Sequence, residues 1–582
     1  MHRQKENNGA DFAAPHACVQ SKVGERDAIP PQRPLEFAIR TTLAALLAFA
    51  SCELLGIHHP WWAAMTVWLV AQPTRGLLIE RSLARLAGTI CGAIAGAMLL
   101  TFWGQHLSVT LIGLALWLAC CAGLGTIFRH FRNYGFVLAG YTAGIVVLFG
   151  LDSGGADSSL AQHRVVCTLI GIICSALFSV RVLPSKAPDF EAQARSLLSR
   201  VLRRIEGGPQ VAQGSDSDPS IVAAIGAFDR MIDEQAAGSI RGRADALRLR
   251  HISGILLELM ALAPSAHYRI PAAVDRQDDP QQWAPLLAAN TASGGQRALA
   301  NALGDLALAL EPDRRSAWRH FHPDFDVVAA FRAASRPVLA LVIAAALWLS
   351  TGWQAGAMMA MTAVLFASLF SSHDHGNDMV IQVLIGTLAG AAAGLLARLF
   401  LLPYADGLLP TLVCITPFLL AAAWLMRQRA TAKMAIDMAM TFLLTAQPGT
   451  APVTLVVAIA EAAAIVAGVF IAVAMFWLIL PSTPDVRSRL LASRIARLAR
   501  LIGRAGDSSV SRSRHEVIRA TQIRLLDVTH AGSPLFKAAQ ACLAAASQVR
   551  SVNSSSTRAA ALEAGVALDT VIASNTRRKC NA

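Results

Sequence analysis

Charge is scarce in this chain: Asp, Glu, Lys and Arg make up only 15% of 582 residues, against 54% hydrophobic, and the mean hydropathy is +0.47. A soluble protein of this size needs more charge on its surface, so a bilayer is implied. Other absences narrow the chemistry. There is no G-x-x-x-x-G-K-[ST] phosphate loop, so ATP hydrolysis by this chain is not expected. His515-Glu516 is not followed by a second His at zincin spacing, and the ten cysteines contain no C-x-x-C, so neither a metal site nor a disulfide framework is expected. Cysteines inside apolar runs, such as Cys52, Cys120, Cys121 and Cys167, read as small packing residues. No nucleophile, base and orienting group can be assembled, which points away from an enzyme and from any cofactor. Nor is a cleavable signal peptide expected. Residues 1–34 are polar, with Lys22, Arg26 and Pro30-Pro31 ahead of the first apolar run, and read as a disordered cytoplasmic tail.

What the chain has in abundance is apolar runs. A bilayer core takes about 20 apolar residues per helix. Twelve candidate spans follow, roughly 37–55, 58–73, 83–103, 107–128, 134–151 and 163–183, then 332–351, 353–370, 379–402, 408–426, 433–447 and 452–480. The runs at 58–73 and 433–447 are the weakest, so ten or eleven is also a fair count. Arg75, Arg81, Arg85, Arg129, Arg132, Arg427, Arg429 and Lys433 fall in connections on one side, and only Arg164 and Arg398 on the other. The positive-inside bias then places both termini in the cytoplasm. The expected fold is an all-α polytopic membrane protein: two repeated six-helix transmembrane bundles, 35–184 and 331–483, with helical cytoplasmic domains at 185–330 and 484–582.

The two bundles share a pattern. Arg40 precedes Thr66 by 26 positions, and Arg336 precedes Thr362 by the same 26. Gly88-Thr89 continues in four-residue steps to Gly92 and Gly96, as Gly386-Thr387 does to Gly390 and Gly394. Arg164, Gly171 and Pro184 match Glu461, Gly468 and Pro481 in spacing. Three markers in one order indicate a duplication, an arrangement common in secondary transporters, and the glycine ladders read as close helix packing. Outside the bundles, the segment 185–330 is near neutral, whereas 484–582 supplies ten of the formal thirteen positive charges. That tail opens with Arg487, Arg494, Arg497, Arg500 and Arg504 interleaved with Leu491, Ile495, Leu498 and Ile502. Such an amphipathic helix is expected to meet anionic membrane lipid. It lacks the interleaved aromatic residues of a nucleic-acid binder, so no nucleic-acid partner is expected.

From Phe37 to Leu100 the chain reads FAIRTTLAALLAFASCELLGIHHPWWAAMTVWLVAQPTRGLLIERSLARLAGTICGAIAGAMLL. The Arg in the first span, the His-Pro-Trp-Trp-Ala run ending in Thr66, Gln72-Pro73 with Gly76, and the stretch from Arg85 to Gly92 resemble the fusaric acid resistance and aromatic acid exporter family. Tyr141-Thr142 and Arg164 with Gly171 and Pro184 extend the resemblance. In the second half Trp61-Trp62 has no counterpart beyond Gly356-Ala357, and Glu461 replaces Arg164. The resemblance implies an inner-membrane efflux protein of Gram-negative bacteria that exports aromatic carboxylic acids such as hydroxybenzoates or fusaric acid. It also implies a periplasmic adaptor protein and an outer-membrane channel as partners, and it is compatible with a homo-oligomer.

Ionisable residues within spans cost about 2.5–3.5 kcal/mol each at a helix centre and invite a functional reading. Arg164 and Glu461 are expected to face a shared cavity, Arg164 drawing a solute carboxylate and Glu461 taking a coupling proton; the alternative is two interfacial residues that hold helices in register. Arg40 and Arg336 form either a positive entrance or positive-inside anchors. Asp437, four residues after Lys433, is a structural ion pair or a proton site. Trp61 and Trp62 form an aromatic wall for a ring-bearing solute or an interfacial belt, and Tyr141 joins the same pathway. Proton-coupled export, passive anion conduction and a non-transporting scaffold remain as functional readings.

Overall fold

The computed structural model describes residues 34–71, 75–126, 131–152, 158–179, 190–207, 218–236, 240–263, 294–310, 327–371, 376–426, 428, 431–479, 484–505 and 508–580. Residues 1–33, Gln72-Pro73, Pro184 and Pro481 lie outside them. Among the described residues there are twenty helices and no strand, and their order is itself duplicated, six apolar helices then four amphipathic or polar ones, twice. The first six are α1 Pro34–Leu54, α2 Trp61–Val70, α3 Arg75–Trp103, α4 Leu107–Gly125, α5 Phe131–Asp152 and α6 Ser158–Ser179. They lead into α7 Phe190–Gly207, α8 Asp218–Ala236, α9 Ile240–Leu262 and α10 Gly294–Leu310. The second set is α11 Val327–Thr351, α12 Gly356–Ser371, α13 Gly376–Leu396, α14 Leu408–Met426, α15 Ala432–Ala446 and α16 Leu455–Ala474, followed by α17 Pro484–Arg504, α18 Ser508–Val528, α19 Pro534–Ser551 and α20 Ser555–Cys580.

Nine of the twelve apolar helices are long and apolar enough to cross a membrane. The other three are α2 (10 residues), α12 (16) and α15 (15). The two weakest runs in the sequence are thus among the short helices. At 1.5 Å per residue α2 is about 15 Å long, half the thickness of a bilayer core. It is buried on nearly every side, so protein rather than lipid surrounds it. The outward faces of the long helices carry Ile90, Ile94, Met98, Leu116, Ile173, Ile385 and Val413, exposed in the protein alone, and a bilayer would cover them.

The duplication is legible in packing. A side chain at Gly88, Gly92 or Gly96 would collide with Gly135 O, Ala139 O or the Val146 side chain of α5, and one at Gly386, Gly390 or Gly394 with Met434 O, Met438 O or the Thr445 side chain of α15. Each ladder therefore lets a third helix lie against a fifth at backbone distance. Gly171 rests on Ala63 O and Thr66, and Gly468 on Met359 O and Thr362, the same contact one repeat later. Gly56 (φ 64°) and Gly352 (φ 63°) add a marker: both end the first helix of their half in the left-handed region that glycine takes without strain. Between the halves the contacts cross over. α1 packs on α14 as α11 packs on α4, and α2 packs on α15 as α12 packs on α5. The halves are thus related by an approximate twofold exchange, and each completes the other.

The polar helices of both halves form one body. Ile225, Phe228, Leu256 and Leu303 of the middle segment share a core with Ile495, Ile523, Phe536 and Leu543 of the C-terminal one. Leu491, Ile495 and Ile502 of α17 are buried there and Leu498 packs against it, so the apolar face expected to meet lipid meets protein instead. A buried ionic cluster joins the segments. Arg519 pairs with Glu258, His515 Nε2 lies 3.0 Å from the same carboxylate, and Arg550 holds Asp305 in a bidentate pair at 2.6 and 2.9 Å. Burial alone would raise the Glu258 carboxyl, but the charges of Arg519 and His515 reverse this and hold it well below the usual carboxylate range. Asp305 is likewise held down: burial would raise it, but the hydrogen bond and charge of Arg550 together with the charge of Arg519 outweigh that.

Candidate functional site

Because α6 and α16 run toward the polar helices, their first turns lie at the opposite, distal end of the bundle. Arg164 and Glu461 each stand six residues after the start of their helix, so they enter at equal depth. Their surroundings differ. Arg164 is buried with its guanidinium over the Trp62 ring at 4.8 Å, and its Nε and Nη1 have no hydrogen-bond partner among the described residues. Trp62 is stacked on His59 at 4.6 Å and meets Phe149 edge-on. Trp61 and Trp62 are both buried, so neither belongs to a lipid-facing belt.

Below Trp62 the polar line continues toward the polar-helix end. Thr66 Oγ1 donates to Trp62 O at 2.9 Å and accepts from Arg85 Nη2 at 3.2 Å. Arg85, fully buried, also donates through Nη1 to the Tyr134 and Tyr141 hydroxyls, both at 3.3 Å. Arg81 stands over the Tyr134 ring at 4.9 Å. Three guanidinium groups, Arg81, Arg85 and Arg164, thus run through the first half among aromatic rings, and among the described residues none of the three takes a carboxylate partner.

The second half holds the acids. Asp437 is buried and accepts from Thr387 Oγ1 at 2.7 Å, whereas Lys433, one turn away, is exposed. Its engaged neighbour is therefore a hydroxyl on α13. Glu461 pairs with Arg398 at 2.6 Å, and Gln447 bridges the two, donating to Glu461 Oε2 at 3.0 Å and accepting from Arg398 Nη2 at 3.3 Å. Arg398 Nη1 also reaches Thr445 O at 3.3 Å. Arg164 and Glu461 therefore belong to separate clusters. A cavity of about 320 Å³ at the distal end is lined by Arg398 and Gln447 with Glu53 and Phe49 of α1. Arg40 and Arg336, near the polar-helix end, stand over Phe37 at 5.5 Å and Phe476 at 4.7 Å. Among the described residues no three His, Cys, Asp or Glu side chains converge as a metal ion would require.

Sequence reasoning passed over Arg85 and Arg398 as loop or edge charges. A signal was present. Arg398 extends the ladder of Gly386, Gly390 and Gly394 by one more step of four, and Arg85 stands three residues before Gly88, so both lie on the helix face that packs closest.

The profile of the Fusaric acid resistance protein family matches residues 34–293 and, a second time, 268–551. This chain belongs to that family. The double match of the fusaric acid resistance profile parallels the duplicated order of helices. Among relatives, an uncharacterized transporter YdhK of Escherichia coli K12 is 29% identical over 198 residues, 34% of this chain and 29% of the relative. The p-hydroxybenzoic acid efflux pump subunit AaeB of Edwardsiella ictaluri is 28% identical over 159 residues, 26% of this chain and 24% of its own length. The subunit of that name from Pantoea ananatis is 29% identical over 176 residues, covering 28% and 27%. The matched stretch thus spans less than a third of each of these relatives. No solved structure matches this fusaric acid resistance family member.

Proposed function

We propose that this protein exports aromatic carboxylic acids, of the hydroxybenzoate or fusaric acid type, across the bacterial inner membrane, driven by the proton gradient. The observation that carries the reading is the line of half-buried Arg81 and buried Arg85 and Arg164 among Trp62, Tyr134 and Tyr141, without a carboxylate of its own among the described residues. Desolvated cations are costly, and a solute that brings the missing anion offsets that cost when it passes. A guanidinium matches a carboxylate in a two-bond fork, and the aromatic faces suit the ring attached to it. Arg164, with two unpartnered donors over Trp62, is the first choice for the carboxylate contact. Arg40 and Arg336 draw anions toward the cytoplasmic mouth.

Coupling falls to the second half. Asp437, buried beside a hydroxyl and without a cation, carries the proton, and Glu461 is the second acid on the route. Both termini and all the polar helices lie in the cytoplasm, in keeping with the arginine bias of the connections. A periplasmic adaptor and an outer-membrane channel complete the route; the AaeB relatives are named as subunits of an efflux pump, which supports a pump of more than one component. The test is flux in proteoliposomes under an imposed pH difference. p-Hydroxybenzoate should accumulate against its gradient, and Arg164→Gln should abolish this. Dissipation of a preset gradient without accumulation would make the protein an anion channel, and no flux of any aryl acid would remove the reading.

A further inference from the structure

The distal cavity sits where the two halves meet, with α1 of one on one wall and the end of α13 and the α15–α16 turn of the other opposite. Its rim, at Asp406 and Gly407, is exposed, and its floor carries Arg398, which is nine-tenths buried. The backbone there is unusual in two ways. α13 widens into a π turn over Ala397–Leu401, which contains Arg398, and such turns recur at functional sites. Gln447, which orients both Arg398 and Glu461, caps α15 in the left-handed region (φ 42°), uncommon for a residue with a side chain. The guanidinium is only partly used: Nη1 and Nη2 are bonded, while Nε is buried without a partner.

We propose that this cavity is a second carboxylate-binding site, the last on the way out, and that Glu461 occupies Arg398 as a tethered stand-in for the carboxylate of a departing solute. The site rests on reading the chain as an exporter of aryl carboxylates. Glu461 is tied to Arg398 by one 2.6 Å contact, keeps about a quarter of its side chain exposed, and can leave without unfolding a helix. A free carboxylate entering the cavity competes for the same fork of donors, and when it goes Glu461 returns and closes the positive charge off from the outside. A volume of about 320 Å³ is near the lower end of ligand cavities, which suits a one-ring acid. Glu53 and Asp406, both exposed at the cavity, repel a bound anion, so occupancy is brief. That is the behaviour an exit needs and an entrance does not.

The test uses the full chain in membrane vesicles, phenylglyoxal as an arginine reagent, benzoate as the probe, and peptide mass spectrometry to read Arg398 alone. In the unaltered protein Arg398 should label slowly. In Glu461→Gln it should label about tenfold faster, as expected when one charge-assisted hydrogen bond is lost, and benzoate should slow it in a saturable manner. Glu53→Gln should lower the benzoate concentration that gives half protection. If Glu461→Gln does not fold, Gln447→Ala removes the bridge and should raise the rate in the same direction. Equal labelling rates with and without the change, or no protection by benzoate, would overturn the site. Protection without transport of any aryl acid would sink the exporter reading and leave the site standing; transport without protection does the reverse.

Discussion

Leu138 and Asp437 hold the same place in the two repeats: the position of a Cβ on Gly88 lies 2.7 Å from Leu138 Cβ, and that of a Cβ on Gly386 lies 3.1 Å from Asp437 Cβ. One half fills the spot with an apolar side chain and the other with an acid. In the first repeat leucine fits against the glycine at this place, so packing alone does not require an acid there.

Asp437→Leu should accordingly fold. Replacing a buried acid with an apolar residue of similar size is often neutral or stabilising by about 1–4 kcal/mol, so the melting temperature in detergent should hold or rise. Export of p-hydroxybenzoate should fall to background. Asp437→Asn, which can keep the Thr387 contact but cannot titrate, should behave likewise. Full export by either variant would show that this carboxylate moves no proton.

The glycine ladders make a steric prediction. A methyl group at Gly92 would stand 2.5 Å from Ala139 O and one at Gly390 2.5 Å from Met438 O, both rigid backbone atoms. Gly92→Ala and Gly390→Ala should each cost about 1–3 kcal/mol, read as a lowered melting temperature. Gly123→Ala, whose nearest neighbour is 3.8 Å away, should be neutral. A like response from all three would mean that the third and fifth helices are not in backbone contact.

Cys52 Sγ and Cys167 Sγ are 3.9 Å apart, on α1 and α6. A short bis-alkylating reagent that reacts with thiols, applied to solubilised protein, should join them through two thioether bonds, detected as a linked peptide pair by mass spectrometry. Cys91 and Cys120, both exposed, should remain single. Failure of the Cys52–Cys167 link under conditions that label both thiols would place the first helix elsewhere.

The cluster of Glu258, Arg519, Asp305 and Arg550 sets an acid limit on the body of polar helices. Both carboxyls are depressed in the folded state, so their stabilising effect is complete above the ordinary carboxylate pKa, about 4.3 for Glu, and disappears as pH falls through the lower folded values. Amide exchange in α9 and α18 should stay slow down to pH 4 and accelerate only below it. Arg519→Met takes from Glu258 its arginine partner, leaving His515 and the Ser547 hydroxyl, and should cost about 3–5 kcal/mol. Exchange that accelerates between pH 6 and 5 would contradict the assigned shifts.

The large divisions of the molecule are visible in one dimension because they rest on periodicity. Apolar runs located the long helices, and the matched Gly88 and Gly386 ladders located the duplication before any helix was placed. The partners of the charges were not visible. Arg398 and Glu461 are 63 residues apart and meet only because a π turn and a left-handed Gln447 bring them together. The amphipathic face of α17 pointed to lipid because an apolar stripe carries no record of what covers it; its cover, in α18 to α20 and the middle helices, depends on tertiary assembly.

The shared core of the polar helices has a consequence for biosynthesis. Helices α7 to α10 leave the ribosome before the second bundle exists, and although α8 and α10 pack on α9, the rest of the cover over Ile225, Leu256 and Leu303 arrives with α17 to α20. During the interval the middle segment must wait half-clothed, a natural client for a holding chaperone. Completion of the shared body then requires that the later spans bring α17 to α20 back to the side of α7 to α10, so a chain that stalls or inserts a span the wrong way round leaves an exposed apolar flag for proteolysis.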